Sequence, residues 1–299
     1  MNAFTIKDLE NISGIKAHTI RIWEQRFGLL KPQRSDTNIR YYCNEELKTI
    51  LNIALLNKHG FKISQIDKMT RGEMCSKILE LRSGEAIHDI VVNDLIKGMI
   101  DINIYGFECT LNNYIKTNGI ESTVKDVIFP FLEKIGILWQ TGYIMPAQEH
   151  FVTGIIRQKL IVAIDQAPVN SDGKTCLLFL PEGEHHELGL LFLHYLLKAR
   201  GARVIYLGAN VPMHDVESII HTMKPEMAFI HLTGTCPNFN FDKLLQFLQE
   251  KGGEVRTVIS GYPTHCYCCH KQIPSNIMFK KNFSEMMDFL ESPDIQAIN

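Results

Sequence analysis

The residues best suited to chemistry lie in the segment PEGEHHELG, residues 181–189, directly after the apolar run TCLLFL. It contains the spacing E-x-H-x-x-G through Glu184, His186 and Gly189, with His185 between them. An imidazole can ligate a metal or transfer a proton near neutral pH, and a glycine lets the backbone approach a bulky group closely. If the apolar run is a strand, His186 lies at its carboxyl end, where it can point into a ligand crevice, whereas His185 is expected to face solvent.

Two further groups of residues carry side chains that bind metals or cofactors. Trp139 is followed after nine residues by Glu149 and His150, although a packed tryptophan beside a solvent-facing Glu-His pair would show the same pattern. The segment HCYCCHK holds His265, Cys266, Cys268, Cys269 and His270. Structural zinc sites normally pair two separated ligand couples, and the sequence supplies no second couple. A redox-sensitive thiol and plain surface or half-buried cysteines are the alternatives for this segment.

The elements that position the first group begin near residue 172, where short apolar runs alternate with amphipathic segments. The runs TCLLFL, ARVIYLG, EMAFIHLTGT, VRTVISG and NIMFK predict a doubly wound, flavodoxin-like parallel sheet over residues 172–299. The ligand crevice of such a sheet lies at the carboxyl ends of its strands, near the point where the strand order switches. Besides the histidine turn, we expect this crevice to receive Thr233, Thr235, Ser260 and Gly261.

Residues 85–168 show only helical periodicity, in four segments separated by short Gly, Asn and Pro breaks. Four helices joined by short loops predict an antiparallel bundle. Since such a pair brings the end of one helix beside the start of the next, Trp139, Glu149 and His150 can converge on one bundle end. Residues 73–84 are mixed polar between two glycines and predict a linker.

The N-terminal residues 1–72 predict a helix-turn-helix. TIKDLENIS and KAHTIRIWEQRFGLL are helical around a Ser13-Gly14 turn, KPQRSDTNIRYY is a hairpin, and two more helices split at Gly60. Trp23 and Phe27 are expected in the core. This segment carries twelve Lys and Arg against seven Asp and Glu, while the whole chain has a net charge of −2. A basic head on an acidic body favours a polyanion partner.

Composition restricts the class of protein further. With 299 residues and 45% apolar residues the chain can bury more than one core, and it shows neither a membrane-spanning apolar run nor a signal-peptide layout at its start. We therefore expect a cytoplasmic protein of two or three domains that does not contact a membrane. Eight cysteines, spread thinly outside the C-terminal cluster, favour free thiols over disulfides.

The head resembles the winged-helix DNA-binding domain of the MerR family, through the stretch HTIRIWEQRFGLLKPQR…IRYY. In that family the second helix enters the major groove, the wing grips phosphate, and the proteins bind as dimers. The resemblance implies operator DNA as the partner and these contact residues: Lys16, His18, Thr19, Arg21, Arg34, Arg40 and Tyr41.

The sheet region resembles the cobalamin-binding domain of methionine synthases, corrinoid proteins and mutases, whose pattern is D-x-H-x-x-G, S-x-L and Gly-Gly. The resemblance implies that His186 ligates cobalt, that Glu184 hydrogen-bonds the other ring nitrogen, and that the displaced nucleotide tail enters the sheet crevice. Here Glu184 replaces the aspartate, Thr233-x-Thr235 replaces S-x-L, and Ser260-Gly261 replaces the glycine pair.

With these two parts joined, the W-x9-E-H signature resembles the helical cap of CarH/LitR-type light-dependent MerR repressors. In them the residues matching Trp139, Glu149 and His150 surround the upper face and adenosyl group of adenosylcobalamin. Gln140 stands where these relatives tend to carry a second cobalt-ligating histidine.

The resulting expectation is a multidomain, non-enzymatic regulator, by resemblance a repressor, with an all-α winged head, a four-helix bundle cap and an α/β cobalamin-binding domain. It would sense adenosylcobalamin and, through photolysis of it, light, and act as a dimer or dimer-of-dimers tetramer that affects RNA polymerase indirectly. The alternatives are a MerR-type regulator whose sensor reads another ligand or thiol redox and, more remotely, a corrinoid-carrier component of a methyltransferase.

Overall fold

The residues described by the computed structural model of the chain are 4–36, 38–140, 144–233, 239–267 and 273–292. For residues 137–140, 265 and 266 this description covers the backbone alone. The chain divides into two compact units, Met1–Ile156 and Arg157–Asn299.

The first unit begins with a helix-turn-helix and a two-stranded wing, which confirms the predicted winged head. Thr5 and Asp8 form a reciprocal capping box at the start of the first helix, and Gly14 ends it with φ 74°. Trp23 is buried as predicted, whereas Phe27 is half-buried. The elements are α1 (Ile6–Ser13), α2 (Ala17–Phe27), β1 (Gln33–Arg34), β2 (Arg40–Tyr41), α3 (Asn44–Lys58) and α4 (Ile63–Ile66).

A helix occupies most of the segment that the sequence predicted as a linker. Helix α5 (Arg71–Glu80) begins at a capping box between Thr70 and Glu73. Its buried residues Met74 and Ile78 are one helical turn apart, and the helix packs against α3. The linker prediction relied on polarity and glycines, but Gly72 lies in the first turn of the helix, where a glycine is tolerated.

The bundle follows with its four predicted helices. They are α6 (Gly84–Ile100), α7 (Ile104–Thr123) with its π-helical continuation (Val124–Ile128), α8 (Phe129–Gln140) and α9 (Pro146–Gln166). Gly119 interrupts α7 with φ 78° and ψ 165°, at the break predicted between the second and third helices. The bundle core includes Phe107 and Phe131, whose ring centroids are 5.5 Å apart.

The head packs directly on the bundle within the first unit. Helix α3 contacts α6, and α1 contacts α8. Lys58 Nζ lies 2.7 Å from Asp89 Oδ2, and the Asn93 side chain donates to the Leu51 carbonyl at 3.4 Å. These contacts, together with the packing of α5 on α3, hold the head against the bundle.

The second unit contains a five-stranded parallel sheet in the order β4-β3-β5-β6-β7 among its described residues. After β3 the chain pairs β4 on one side and then places β5 on the other, so the strand order switches between β3 and β5, as predicted. The elements are β3 (Thr175–Pro181), α10 (Leu188–Ala199), β4 (Arg203–Val211), α11 (Met213–Met223), β5 (Met227–Leu232), α12 (Phe241–Lys251), β6 (Arg256–Gly261), α13 (Tyr262–Tyr267), β7 (Ile277–Lys280) and α14 (Phe283–Glu291).

Candidate functional site

The histidine turn connects β3 to α10 at the switch in strand order. The Glu184 amide donates to the Pro181 carbonyl at 3.0 Å, and Gly183 turns the chain with φ 87°. Asn210, near the end of the neighbouring strand β4, forms two hydrogen bonds with the turn. Its side-chain oxygen accepts from the Gly183 amide at 2.9 Å, and its backbone amide donates to the Glu184 carbonyl at 3.0 Å. The sequence analysis missed Asn210, and its positive φ of 56° could not be predicted from the sequence.

Glu184 and His186 form the polar pair at the centre of this turn. Glu184 is 1% exposed, and its Oε1 lies 2.7 Å from His186 Nδ1 and 2.9 Å from the His186 amide nitrogen. Burial would raise the pKa of the Glu184 carboxyl, but the hydrogen bonds from the His186 side chain and amide outweigh it, so the pKa is lowered from its ordinary value. The carboxylate can therefore accept a hydrogen bond from Nδ1–H, and a metal ligated by this ring would bind Nε2.

His186 has a side chain that is 63% exposed, so its ring is accessible from outside the sheet unit. His185 is also exposed, in agreement with the expectation that it faces solvent. The Nδ1 of His186 has a carboxylate at 2.7 Å, and this is the arrangement that orients an imidazole for ligation through Nε2.

The crevice side of the turn contains a histidine that the sequence analysis overlooked. His231 Nδ1 lies 2.8 Å from Ser260 Oγ, which joins the ends of β5 and β6. A Cβ placed on Gly189 would meet His231 Cδ2 at 2.2 Å, so the ring packs directly on the first turn of α10. Burial lowers the pKa of His231 to about 4 and keeps the ring neutral. Its signal in the sequence was a histidine two residues before Thr233, at the end of an apolar strand.

The other predicted crevice residues occupy different positions. The Thr233 hydroxyl lies 3.5 Å from the His186 carbonyl, so Thr233 meets the turn while His231 meets Ser260. Thr235 lies outside the described residues. Gly261 has φ 106°, and a Cβ there would meet the Leu232 carbonyl oxygen at 1.9 Å; the backbone itself therefore requires glycine.

At the bundle end, Glu149 and His150 lie in the first turns of α9. His150 Nδ1 is 3.3 Å from Glu149 Oε2, and the His150 side chain is 76% exposed. The side chains of Trp139 and Gln140 fall outside the description, so their convergence with this pair stays a prediction. Gln148, which is 1% exposed, fixes the start of α9 by donating to the carbonyls of Met99 and Ile100 at 3.2 and 3.3 Å.

The predicted DNA-contacting residues of the second helix are accessible at its start. Lys16, His18 and Arg21 are exposed and Thr19 is half-buried. Lys16 Nζ lies 3.4 Å from Oε1 of Glu10, whose side chain is only 14% exposed, so this ion pair joins α1 to the start of α2.

The predicted wing residues fall into two groups. Arg34 is exposed and donates to Asn38 Oδ1 at 2.5 Å across the hairpin turn. Arg40 and Tyr41 are half-buried, and Arg40 Nε lies 3.4 Å from Glu24 Oε2 on α2. The Tyr42 hydroxyl donates to the same carboxylate, so Arg40 takes part in holding the wing to α2.

The cysteine-rich segment falls largely outside the description of the structure. Cys268, Cys269 and His270 lie outside the described residues, as do the side chains of His265 and Cys266. Within the described part of the chain, no three His, Cys, Asp or Glu side chains are grouped to hold a metal ion. In the same part, no helix is long and apolar enough to cross a membrane.

Comparison with known families matches three parts of the chain. The MerR HTH family regulatory protein matches residues 4–73, and two B12 binding domain families match residues 91–163 and 175–268. The match over residues 91–163 covers most of the bundle, and the one over 175–268 includes the histidine turn, His231 and Ser260. These matches confirm the predicted combination of a MerR head with cobalamin-binding parts.

Two curated repressors of Myxococcus xanthus match most of the chain. The HTH-type transcriptional repressor CarH is 24% identical over 83% of this chain and 84% of its own length, and the HTH-type transcriptional repressor CarA is 28% identical over 74% of each. Among solved structures, the monomethylamine corrinoid protein of Methanosarcina barkeri shares the fold over 70% of this chain and 99% of its own, with a TM-score of 0.52 and 15% identity. The chain thus combines a MerR-type helix-turn-helix with two B12-binding parts and is homologous to the repressors CarH and CarA, which supports a cobalamin-sensing transcriptional regulator.

Proposed function

We propose that this regulator senses adenosylcobalamin and, through photolysis of that cofactor, light, and that it represses transcription by binding operator DNA as a dimer or a dimer-of-dimers tetramer. The observation that supports it most directly is the Glu184–His186 pair, in which the carboxylate lies 2.7 Å from Nδ1 and leaves Nε2 of the imidazole for a ligand at the carboxyl end of β3. RNA polymerase would be affected indirectly, through occupancy of the operator.

The residues of the turn fit a cobalt ligand by their donor chemistry. A metal-bound histidine ordinarily donates its other ring N–H to a carboxylate, and the buried Glu184 accepts in that way. Adenosylcobalamin, when bound, would supply a photolabile cobalt–carbon bond. His186 would ligate the cobalt, with Gly189, Thr233, Thr235, Ser260 and Gly261 lining or shaping the crevice beside it.

On the bundle side, we assign Trp139, Glu149 and His150 to the adenosyl group. An indole offers a flat apolar surface for an adenine, and a carboxylate and an imidazole can hydrogen-bond a ribose or a base. We retain 1–72, 85–168 and 172–299 as the proposed limits of the head, the cap and the sheet domain.

A cofactor that favours one association state over another can set how many heads are held together on DNA. Because linked heads bind with a raised effective concentration, a change in association changes operator affinity without any change in the heads themselves. The MerR head is also the feature that favours a regulator over a corrinoid carrier, since a carrier has no use for Lys16, His18 and Arg21 on an exposed helix start.

The test compares two neighbouring histidines. We expect His186→Ala to shift the visible spectrum of bound adenosylcobalamin toward that of the free cofactor and to weaken its retention on a desalting column. His185→Ala is the matched control, because His185 lies in the same turn and is also exposed. This variant should leave the spectrum unchanged. An unchanged spectrum in His186→Ala would refute the ligand assignment.

A further inference from the structure

Helix α9 contains the point at which the chain divides into its two compact units. The division falls between Ile156 and Arg157, inside a helix that runs from Pro146 to Gln166. Arg157 is seven residues after His150, about two helical turns along the same face. This arginine is therefore the first residue of the sheet unit on the helix that carries the proposed adenosyl contacts.

Arg157 reaches the residue directly after His186. Its Nε lies 2.7 Å from Glu187 Oε1, with the Arg157 and Glu187 side chains 55% and 19% exposed. The second oxygen, Glu187 Oε2, accepts from the Tyr206 hydroxyl at 2.8 Å. Both carboxylate oxygens thus have a partner, one on α9 and one on β4.

The Tyr206 hydroxyl fixes the orientation of its hydrogen bond to Glu187. Burial, and then the hydrogen bond and charge of Glu187, raise the pKa of the Tyr206 hydroxyl far above its ordinary value, so it stays protonated and can donate to the carboxylate. The His194 ring stacks on it with centroids 5.1 Å apart and planes 19° apart. Burial lowers the pKa of His194 to about 4, so that ring is neutral near pH 7.

Glu187 also marks the start of α10, whose first helical residue is Leu188. Its carbonyl accepts from the Leu191 amide at 2.8 Å. A residue held by its backbone to α10 and by its carboxylate to α9 and β4 has little freedom, and the adjacent His186 shares that restriction.

We infer that Arg157 and Glu187 are positioning residues, and that their ion pair fixes the His186 turn to helix α9 and links ligation at His186 to that helix. This inference rests on the proposed function for the role of His186. A second contact joins the last turns of α9 to α10 within the sheet unit. Lys198 Nζ on α10 donates to the Ile164 carbonyl on α9 at 2.6 Å.

The first test needs no cofactor. Amide hydrogen exchange of residues 182–188 should be about threefold to tenfold faster in Arg157→Gln and in Glu187→Gln than in the unaltered protein, the range expected for a partly exposed ion pair. The double variant should exchange no faster than either single one, because both remove the same interaction.

The matched control is Lys251→Gln. Lys251 forms an ion pair with Glu217 at 3.0 Å in the same unit, with comparable exposures of 51% and 30%, but on α11 and α12. It should leave exchange at residues 182–188 unchanged. The reversed pair, Arg157→Glu with Glu187→Arg, should restore slow exchange if the ion pair is responsible. Unaltered exchange in both single variants would overturn the inference.

The second test uses adenosylcobalamin. Arg157→Gln should keep the spectrum of the His186-ligated cofactor, lose the cofactor faster on a desalting column by a similar factor, and reduce the dark-to-light change in DNA binding, with an unchanged thermal midpoint. If the unaltered protein does not bind the cofactor, the proposed function fails while the exchange result still decides the role of the ion pair. If it binds and Arg157→Gln behaves identically, the proposed function stands and the link to α9 fails.

Discussion

Arg40 of the wing and Glu24 of α2 lie 3.4 Å apart, measured from Nε to Oε2, and the Glu24 side chain is only 7% exposed. The same carboxylate accepts from the Tyr42 hydroxyl. The wing is thus held to the helix-turn-helix by a nearly buried carboxylate that accepts a hydrogen bond from Tyr42 and forms an ion pair with Arg40, a residue that the sequence predicts to contact DNA.

Arg40→Ala should therefore weaken DNA binding and also destabilise the head. Removing the guanidinium leaves a nearly buried carboxylate without its ion-pair partner, which costs about 1–3 kcal/mol. Arg34→Ala is the matched comparison, because Arg34 is exposed on the same hairpin. It should weaken binding to any DNA, lower the salt slope by about one unit, and leave the unfolding midpoint unchanged. Equal midpoints for the two variants would contradict the structural role of Arg40.

Gly189→Ala should destabilise the sheet unit because its methyl group would meet the His231 ring. Overpacking of this kind costs about 1–3 kcal/mol, measured by urea unfolding. Combining it with His231→Ala should recover part of that loss, since the obstacle is a side chain. Gly261→Ala should not be recovered in this way, because its obstacle is the Leu232 carbonyl. Additive losses in the Gly189–His231 pair would argue against the contact.

His231 should make the sheet unit sensitive to acid. Its folded-state pKa of about 4 lies below the ordinary 6.5, so on acidification the unfolded chain takes up the proton first and stability falls as pH drops from near 6.5 toward 4. Between pH 7 and pH 5 this histidine alone should account for about 2 kcal/mol of lost stability. His231→Asn, whose amide can still reach Ser260, should show a smaller loss over the same interval in urea titrations. A loss equal to that of the unaltered protein would rule out His231 as the source.

Illumination should change the association state of the adenosylcobalamin complex. With adenosylcobalamin bound, green light should shift its elution from a sizing column and reduce operator binding, whereas methylcobalamin should not reproduce the dark state. Trp139→Ala should remove the difference between dark and light. Gln140→His supplies the imidazole that Gln140 replaces, and should make the lit state revert more slowly. Identical elution and DNA binding in dark and light, with cofactor bound, would show a cobalamin sensor without a light response.

Much of this architecture could be predicted from the sequence, because strong periodicities predict its helices and strands and specific motifs indicate its domains. The alternation after residue 172 predicted the parallel sheet and its switch point, and E-x-H-x-x-G predicted the Glu184–His186 contact. The sequence did not predict the features whose role depends on contacts between residues far apart in the chain. Asn210 and His231 act across strands, and a linker-like composition concealed the buried face of α5.

The packing of the head on the bundle has a consequence for the spacing of the half-sites in the proposed operator. Since α3 packs on α6 and α5 is helical, packed helices hold the head on the bundle. In the proposed dimer, we therefore expect the protein to set the distance between the two α2 helices. Half-sites repeat with the turn of the duplex, about 10 base pairs. Each base pair inserted between two half-sites would rotate one of them by about a tenth of a turn, so the promoter should accept changes in half-site sequence more readily than changes in spacer length.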